Sequence, residues 1–356
     1  MSTPIEIECT HIAGELMRVR FANTQIISDH PAQWGGTDSG PAPGAMVIMA
    51  LAAASALKGR SHAALNGLDL ANVGARASIT MIQEGLEDDL RHVPLSYLTY
   101  VDRFWRLLEI DGTLDDEQRD ALVDAMTANR IARTIQEGMD IEEKVVFKQP
   151  EPGSRYPSGE SPGNHQPEKR PSLPAGESRV AEAKDWMVSA SALDQKTCLV
   201  KVADAMHVVG DDIASQRGAT PEEWLLGGLA SCTTIFIARN AKFLDLPVQS
   251  VCVRVRAELA DDPDQPISRV EKIAEVTGDF TPDEAAKVKD LAEFCAFGVT
   301  LRRSTPIVDS LSLNTATGPG TAFTPMAMLE RPAAAPNDPA YCTDGSCCIP
   351  TFEKAN

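Results

Sequence analysis

Aromatic residues make up only 5% of this 356-residue chain, and positive charge is scarce: 33 Lys and Arg stand against 51 Asp and Glu, a formal net charge of −18. Few stacking rings and no cationic excess argue against a nucleic-acid partner, because phosphate binding needs a basic patch. The same charge argues against anionic membrane surfaces. Long apolar runs are missing too. The longest, around Gly44–Leu57, is rich in Ala and too short to span a bilayer, which predicts a buried core helix. The first residues, MSTPIEIECT, show no basic stretch followed by an apolar one, so a cytoplasmic protein is expected. His11, His30, His62, His92, His165 and His207 are scattered without metal-ligand spacing, and there is no Walker loop, no GxGxxG after a strand and no GxSxG. Catalytic zinc, nucleotide-dependent and serine-hydrolase chemistry therefore find no support. What remains, 43% hydrophobic and 24% charged residues, is ordinary globular composition with a length suited to two domains.

The segment 149–180 is crowded with Pro, Gly, Ser and charge and lacks hydrophobic periodicity, as a flexible linker does. It separates residues 1–148 from 181–314, and residues 315–356 form a second Pro-, Ala- and Gly-rich stretch that reads as a mobile tail. The two halves repeat one pattern of features. PGAMVIMALAAAS, from Pro43, and PEEWLLGGLASCT, from Pro221, stand at an offset of 178 residues. Each is followed by an LDL triplet, at Leu68 and Leu244, and by an alternating strand with an arginine, Arg76 or Arg254. A later pair of helical stretches, from Arg119 and Ala285, matches at an offset of 166. The predicted order in each half is ββ-α-ββ-α-β, with long helices over about 44–64 and 221–242 and second helices over about 115–130 and 281–296. That is an α+β pattern rather than an alternating parallel-sheet one. Thr220-Pro221-Glu222-Glu223 reads as a capping box with Pro at the first helical position. Leu225, Leu229, Cys232 and Phe236 then share one helical face, and Val288, Leu291 and Cys295 share another. Two such helices packed together could bring the thiols of Cys232 and Cys295 close.

The block Pro221-Glu222-Glu223-Trp224-Leu225-Leu226-Gly227-Gly228-Leu229-Ala230-Ser231-Cys232, with Cys295 in the later helix, resembles the OsmC/Ohr family of organic hydroperoxide reductases and their relatives. The resemblance covers about Trp186–Leu313, and Gly35–Pro43 resembles the loop before the first long helix of that family. It implies two OsmC-like domains in one chain, folded as an intramolecular pseudo-dimer with antiparallel sheets around long central helices. Ala54 stands opposite Cys232, Asn129 opposite Cys295 and Gly44 opposite Glu222, so the first copy is degenerate and one site per chain is expected. The resemblance further implies that Cys232 attacks a hydroperoxide and becomes a sulfenic acid, that Cys295 condenses with it to a disulfide, and that a dithiol reductant such as dihydrolipoamide, or a protein that carries a dithiol, reopens the bridge. Glu222 would orient an arginine beside the thiolate; Arg217 is the nearest candidate, and Arg18 or Arg20 of the first half are the alternatives.

Cys342, Cys347 and Cys348 form a separate cluster near the end of the chain. Three thiols there could take a soft ion such as Cu(I) or Zn(II) or exchange with the core disulfide. The rival readings are thus a thiol-based sulfur, selenium or soft-metal carrier, and a non-catalytic protein that binds a small ligand between the halves. Whether pseudo-dimers associate into a further homo-oligomer stays open. Cys9, Cys198 and Cys252 lie in strand runs and read as structural.

Overall fold

The computed structural model describes residues 4–31, 35–85, 97–150, 178–182, 187–202, 205–211 and 217–314. The first half runs β1 (Ile5–Ala13), β2 (Leu16–Arg20), β3 (Gln25–Ser28), α1 (Pro43–Leu65), β4 (Leu70–Gly85), β5 (Tyr97–Gly112), α2 (Asp116–Thr127), α3 (Arg130–Glu137) and β6 (Asp140–Lys148). After β7 (Ser178–Glu182), the second half repeats that order: β8 (Val188–Ala192), β9 (Thr197–Val202), β10 (Ala205–Gly210), α4 (Pro221–Phe243), β11 (Val248–Ala257), β12 (Arg269–Gly278), α5 (Pro282–Glu293), α6 (Ala296–Arg302) and β13 (Ile307–Asn314).

The halves interlock through their sheets. One sheet has the order β3-β2-β1-β11-β12-β6 and the other β10-β9-β8-β4-β5-β13, with β7 also on β4. Each sheet therefore takes a three-stranded meander and a closing strand from one half and two long central strands from the other. Alternation fixes the inward face: Ile5, Ile7 and Cys9 of β1 are buried, as are Val251, Val253 and Val255 of β11 beside them. Neither half could bury its own sheet alone.

Helix α1 packs on the sheet of β4, β8 and β9, α4 packs on that of β1, β2 and β11, and the two helices pack on each other. The core is the space between the sheets. Met46 to Ala53 of α1 are all fully buried in sequence, which is why no amphipathic stripe marks that helix. Pro43 and Pro221 open their helices as predicted, and Thr220 and Glu223 close a reciprocal capping box on α4 (Thr220 N–H to Glu223 Oε2 2.8 Å, Glu223 N–H to Thr220 Oγ1 3.2 Å). The second Glu223 oxygen accepts from the Ala22 N–H at 2.9 Å, which ties the β2–β3 turn of the first half to the start of α4.

The helices meet closely at Gly228, where an added Cβ would lie 2.5 Å from the Val47 side chain and 2.9 Å from the Pro43 carbonyl oxygen. Gly228→Ala is expected to lower stability by about 1–3 kcal/mol through overpacking. Urea unfolding checks this, and an unchanged midpoint would contradict the close packing of α1 on α4.

Four sequence expectations are corrected. The closing strands β6 and β13 run parallel to β12 and β5, so the sheets are mixed rather than wholly antiparallel. Each crosses, after a helix pair, to a central strand of the other half, a long-range choice that no local pattern encodes. Strand β7 pairs with β4 antiparallel and straddles the end of the stretch read as linker. The strand runs 16–27 and 197–209 each break in two, the first at a turn closed by Phe21 N–H to the Thr24 carbonyl (2.8 Å). Each predicted second helix is also two helices, broken just before Asn129 and Cys295.

Candidate thiol site

Cys232 lies in the middle of α4 and Cys295 at the start of α6, and both are fully buried. Cys295 is not on the face of a continuous helix. It is the N-cap residue of α6, its Sγ accepting from the Gly298 N–H at 3.2 Å. The same sulfur lies 3.2 Å from the Thr233 hydroxyl and within hydrogen-bonding reach of the Cys232 thiol. Burial and the neighbouring Cys232 thiol push the Cys295 thiol well above its usual range, while the Lys272 ammonium and Thr233 pull the other way.

Lys272 is the group the sequence reading missed. It is fully buried on β12, and its ammonium donates to the Ala292 carbonyl at 2.8 Å and to Thr233 Oγ1 at 3.3 Å and pairs with Glu143 Oε1 of β6 at 2.6 Å. The other Glu143 oxygen accepts from Arg302. A signal for Lys272 was present: in RVEKIAEV it falls in the buried phase of the strand, with Val270, Ala274 and Val276. A lysine there must be paired or neutral.

The corresponding position of the other half holds the same scaffold without thiols. Arg106 on β5 is fully buried; it donates to both oxygens of Asp309 on β13 (2.6 and 2.9 Å), to Ser55 Oγ (3.1 Å) and to the Met126 carbonyl (3.4 Å). Asn129 N-caps α3 and donates to the same Ser55 hydroxyl at 3.2 Å. At offsets of 178 and 166, Ser55 answers to Thr233, Asn129 to Cys295, Arg106 to Lys272 and Asp309 to Glu143. Each ion pair joins the two halves.

The expected arginine–glutamate arrangement falls elsewhere. Glu222 lies at the first turn of α4, about 15 Å along the helix from Cys232 at 1.5 Å per residue. Its partner is Arg130, next to Asn129, with Nη1 3.8 Å from Glu222 Oε1. Arg130 is itself held by the carbonyls of Gln265, Ala260 and Asp262. Glu222 therefore belongs with the thiol-free position, and nothing in sequence spacing reveals a pair brought together by packing across the halves. Arg217 is not beside Glu222 or Cys232: it is half exposed and bonds Asp194 (2.8 Å) and Thr197 (2.9 Å). Arg18 and Arg20 point to solvent from β2, Arg20 pairing with Glu8 at 3.2 Å. Alternation puts both on the outer face of the sheet.

Burial pushes the Glu222 carboxyl above its ordinary value, more than Arg130 lowers it. Ionising a carboxyl whose folded value is raised costs folding free energy, so this cost is absent below the unfolded value and complete above the folded one. Glu222→Gln is expected to flatten the fall in stability across that window and to leave oxidation of Cys232 unchanged. Thermal melts over a pH series check the first; a slowed oxidation of Cys232 would contradict the separation of the two sites.

Burial also pushes Cys9 and Cys198 up to about 12 and raises Cys252, which suits inert packing thiols. Cys342, Cys347 and Cys348, proposed from sequence as a metal or exchange cluster, lie outside the described residues. Among the described residues, no group of three or more His, Cys, Asp or Glu could hold a metal ion, and no helix is long and apolar enough to cross a membrane.

Residues 213–308 match the family model described as OsmC-like protein. No curated protein sequence matches the chain. Two solved structures are similar over about a third of it: an OsmC-like protein from Mycoplasma pneumoniae (16% identity, 36% of this chain and 95% of that one, TM-score 0.30), and a protein from Psychrobacter arcticus 273-4 described as an osmotic stress induced and detoxification response protein (18% identity, 35% and 84%, TM-score 0.26). The sequence match spans α4 to the start of β13, so the segment that carries Cys232, Lys272 and Cys295 is the part of the chain similar to OsmC-like proteins.

Proposed function

We propose that the chain is a thiol-dependent peroxidase that reduces organic hydroperoxides at Cys232 and Cys295. The observation that carries this reading is the contact of those two thiols in one buried site beside a cation, with the other described cysteines placed apart as packing residues. In the first step the Cys232 thiolate attacks the outer peroxide oxygen. The O–O bond breaks, the alcohol leaves with a proton, and Cys232 becomes a sulfenic acid. In the second step Cys295 sulfur attacks the Cys232 sulfur. The S–O bond breaks, the S–S bond forms, and the thiol proton and the hydroxyl leave together as water. An external dithiol returns the pair to its reduced form by exchange. Neither Glu222 nor Arg217 enters this scheme. Cys232 and Cys295 both lie within the buried hydrophobic core, a setting that favours an organic hydroperoxide over hydrogen peroxide.

The reading is tested by following consumption of an organic hydroperoxide with excess dithiol. Many turnovers per chain are expected. Consumption no faster than that of the dithiol alone would overturn it.

A further inference from the structure

The thiol-free position already contains a buried cation, so a cation in this place is part of the scaffold. What differs is the balance of charge around it. Arg106 faces Asp309 one to one. Lys272 shares Glu143 with a second cation, Arg302, whose counterpart at the 166-residue offset is the uncharged Gln136. The thiol site thus holds two cations for one carboxylate. The ammonium nearer the thiols is left with charge that Glu143 does not neutralise. That charge reaches Cys295 through one hydroxyl. Lys272 Nζ donates to Thr233 Oγ1 at 3.3 Å. The single Thr233 proton has two acceptors in reach, the Leu229 carbonyl at 3.0 Å and Cys295 Sγ at 3.2 Å. With the ammonium holding the oxygen lone pair, the hydroxyl proton is free to turn toward sulfur as negative charge develops there.

We propose that Lys272 is a positioning residue for the second step, holding the Thr233 hydroxyl and an uncompensated positive charge against Cys295 so that its sulfur attacks as a thiolate. This rests on the peroxidase reading for its place in the cycle, but the effect on Cys295 does not require a peroxide. The groups that bear on the Cys295 sulfur are Cys232 of α4, Lys272 of β12, Glu143 of β6 through Lys272, and Arg302 of α6 through Glu143. Once Cys232 is a sulfenic acid, its thiol no longer opposes ionisation of Cys295. Burial still opposes ionisation, and Lys272 and Thr233 are the groups that offset it.

The test is the rate of Cys232–Cys295 disulfide formation in the full chain over a pH series, driven once by an organic hydroperoxide and once by diamide, a non-peroxide thiol oxidant. Lys272→Met is expected to slow the disulfide-forming step about tenfold or more and to move its pH profile up by about one unit. Lys272→Arg is expected to restore it, because Arg106 occupies the equivalent place in the other half. Removing one partner of a buried pair can unfold a protein, so Arg302→Gln, which mirrors Gln136 and lies nearer the surface, provides a second reading with a smaller slowing in the same direction. An unchanged profile in folded Lys272→Met, an arginine variant that folds but does not recover, or an unchanged Arg302→Gln would overturn the proposal. Failure of the hydroperoxide arm alone, with diamide still forming the disulfide in a Lys272-dependent way, would instead count against the peroxidase reading and leave Lys272 in place.

Discussion

Cys232→Ser is expected to abolish hydroperoxide consumption, with a loss of about a thousandfold or more. A serine oxygen cannot take up the peroxide oxygen to form the sulfenic acid on which the first step depends. The other described cysteines cannot substitute. Cys9 and Cys198 are buried in the sheets with thiols pushed up to about 12, and Cys252 is also raised. Cys295 is adjacent, but burial holds it as a thiol, and with Cys232 gone it has no partner for a disulfide within the site. Peroxide consumption with excess dithiol, measured on the folded variant, checks this. Residual turnover near the wild-type rate would move the chemistry to another thiol.

Asp309→Ala is expected to cost about 3 kcal/mol or more of stability. The Arg106 guanidinium is fully buried and cannot shed its charge, so removal of the carboxylate that grips it twice leaves an uncompensated cation in the core. The Ser55 hydroxyl and the Met126 and Thr127 carbonyls remain as acceptors, but none carries a full charge. Asp309 is about a third exposed, so water can reach the vacated space, and the expected cost sits at the lower end of that for a broken buried pair. The effect is also topological. Arg106 belongs to the first half and Asp309 to β13 of the second, which runs beside β5. Loss of the pair loosens a closing strand that locks the halves together. Urea unfolding measures this, and a cost below about 1 kcal/mol would show that the pair contributes little to the interlock.

Much of the fold was legible because local chemistry encodes it. Thr220, Pro221 and Glu223 announce the start of α4, Pro43 announces α1, and the alternation in Ile5–Cys9 and Val251–Val255 sets which sheet face turns inward. The repeated element order was readable from the shared offsets of those features. The break before Cys295 was not, because Val288, Leu291 and Cys295 keep helical spacing across a helix that ends at Glu293. The direction of β6 and β13 depends on which half each strand joins, a pairing across more than a hundred residues. At the site, the proximity of Cys232 and Cys295 was anticipated from two buried helical positions. The electrostatics were not. Arg130 reaches Glu222 only because α3 of the first half packs near the start of α4, whereas Lys272 left a trace as a lone charge in the apolar phase of β12.

Cys232 and Cys295 are expected to be redox partners. The measurement is a stoichiometric titration of the fully reduced chain with an organic hydroperoxide, followed by mass-spectrometric mapping of disulfides. One Cys232–Cys295 link per chain, formed with one equivalent of peroxide, is the predicted result. Both of these cysteines remaining reduced while Cys342, Cys347 and Cys348 oxidise would contradict it and move the chemistry to the end of the chain.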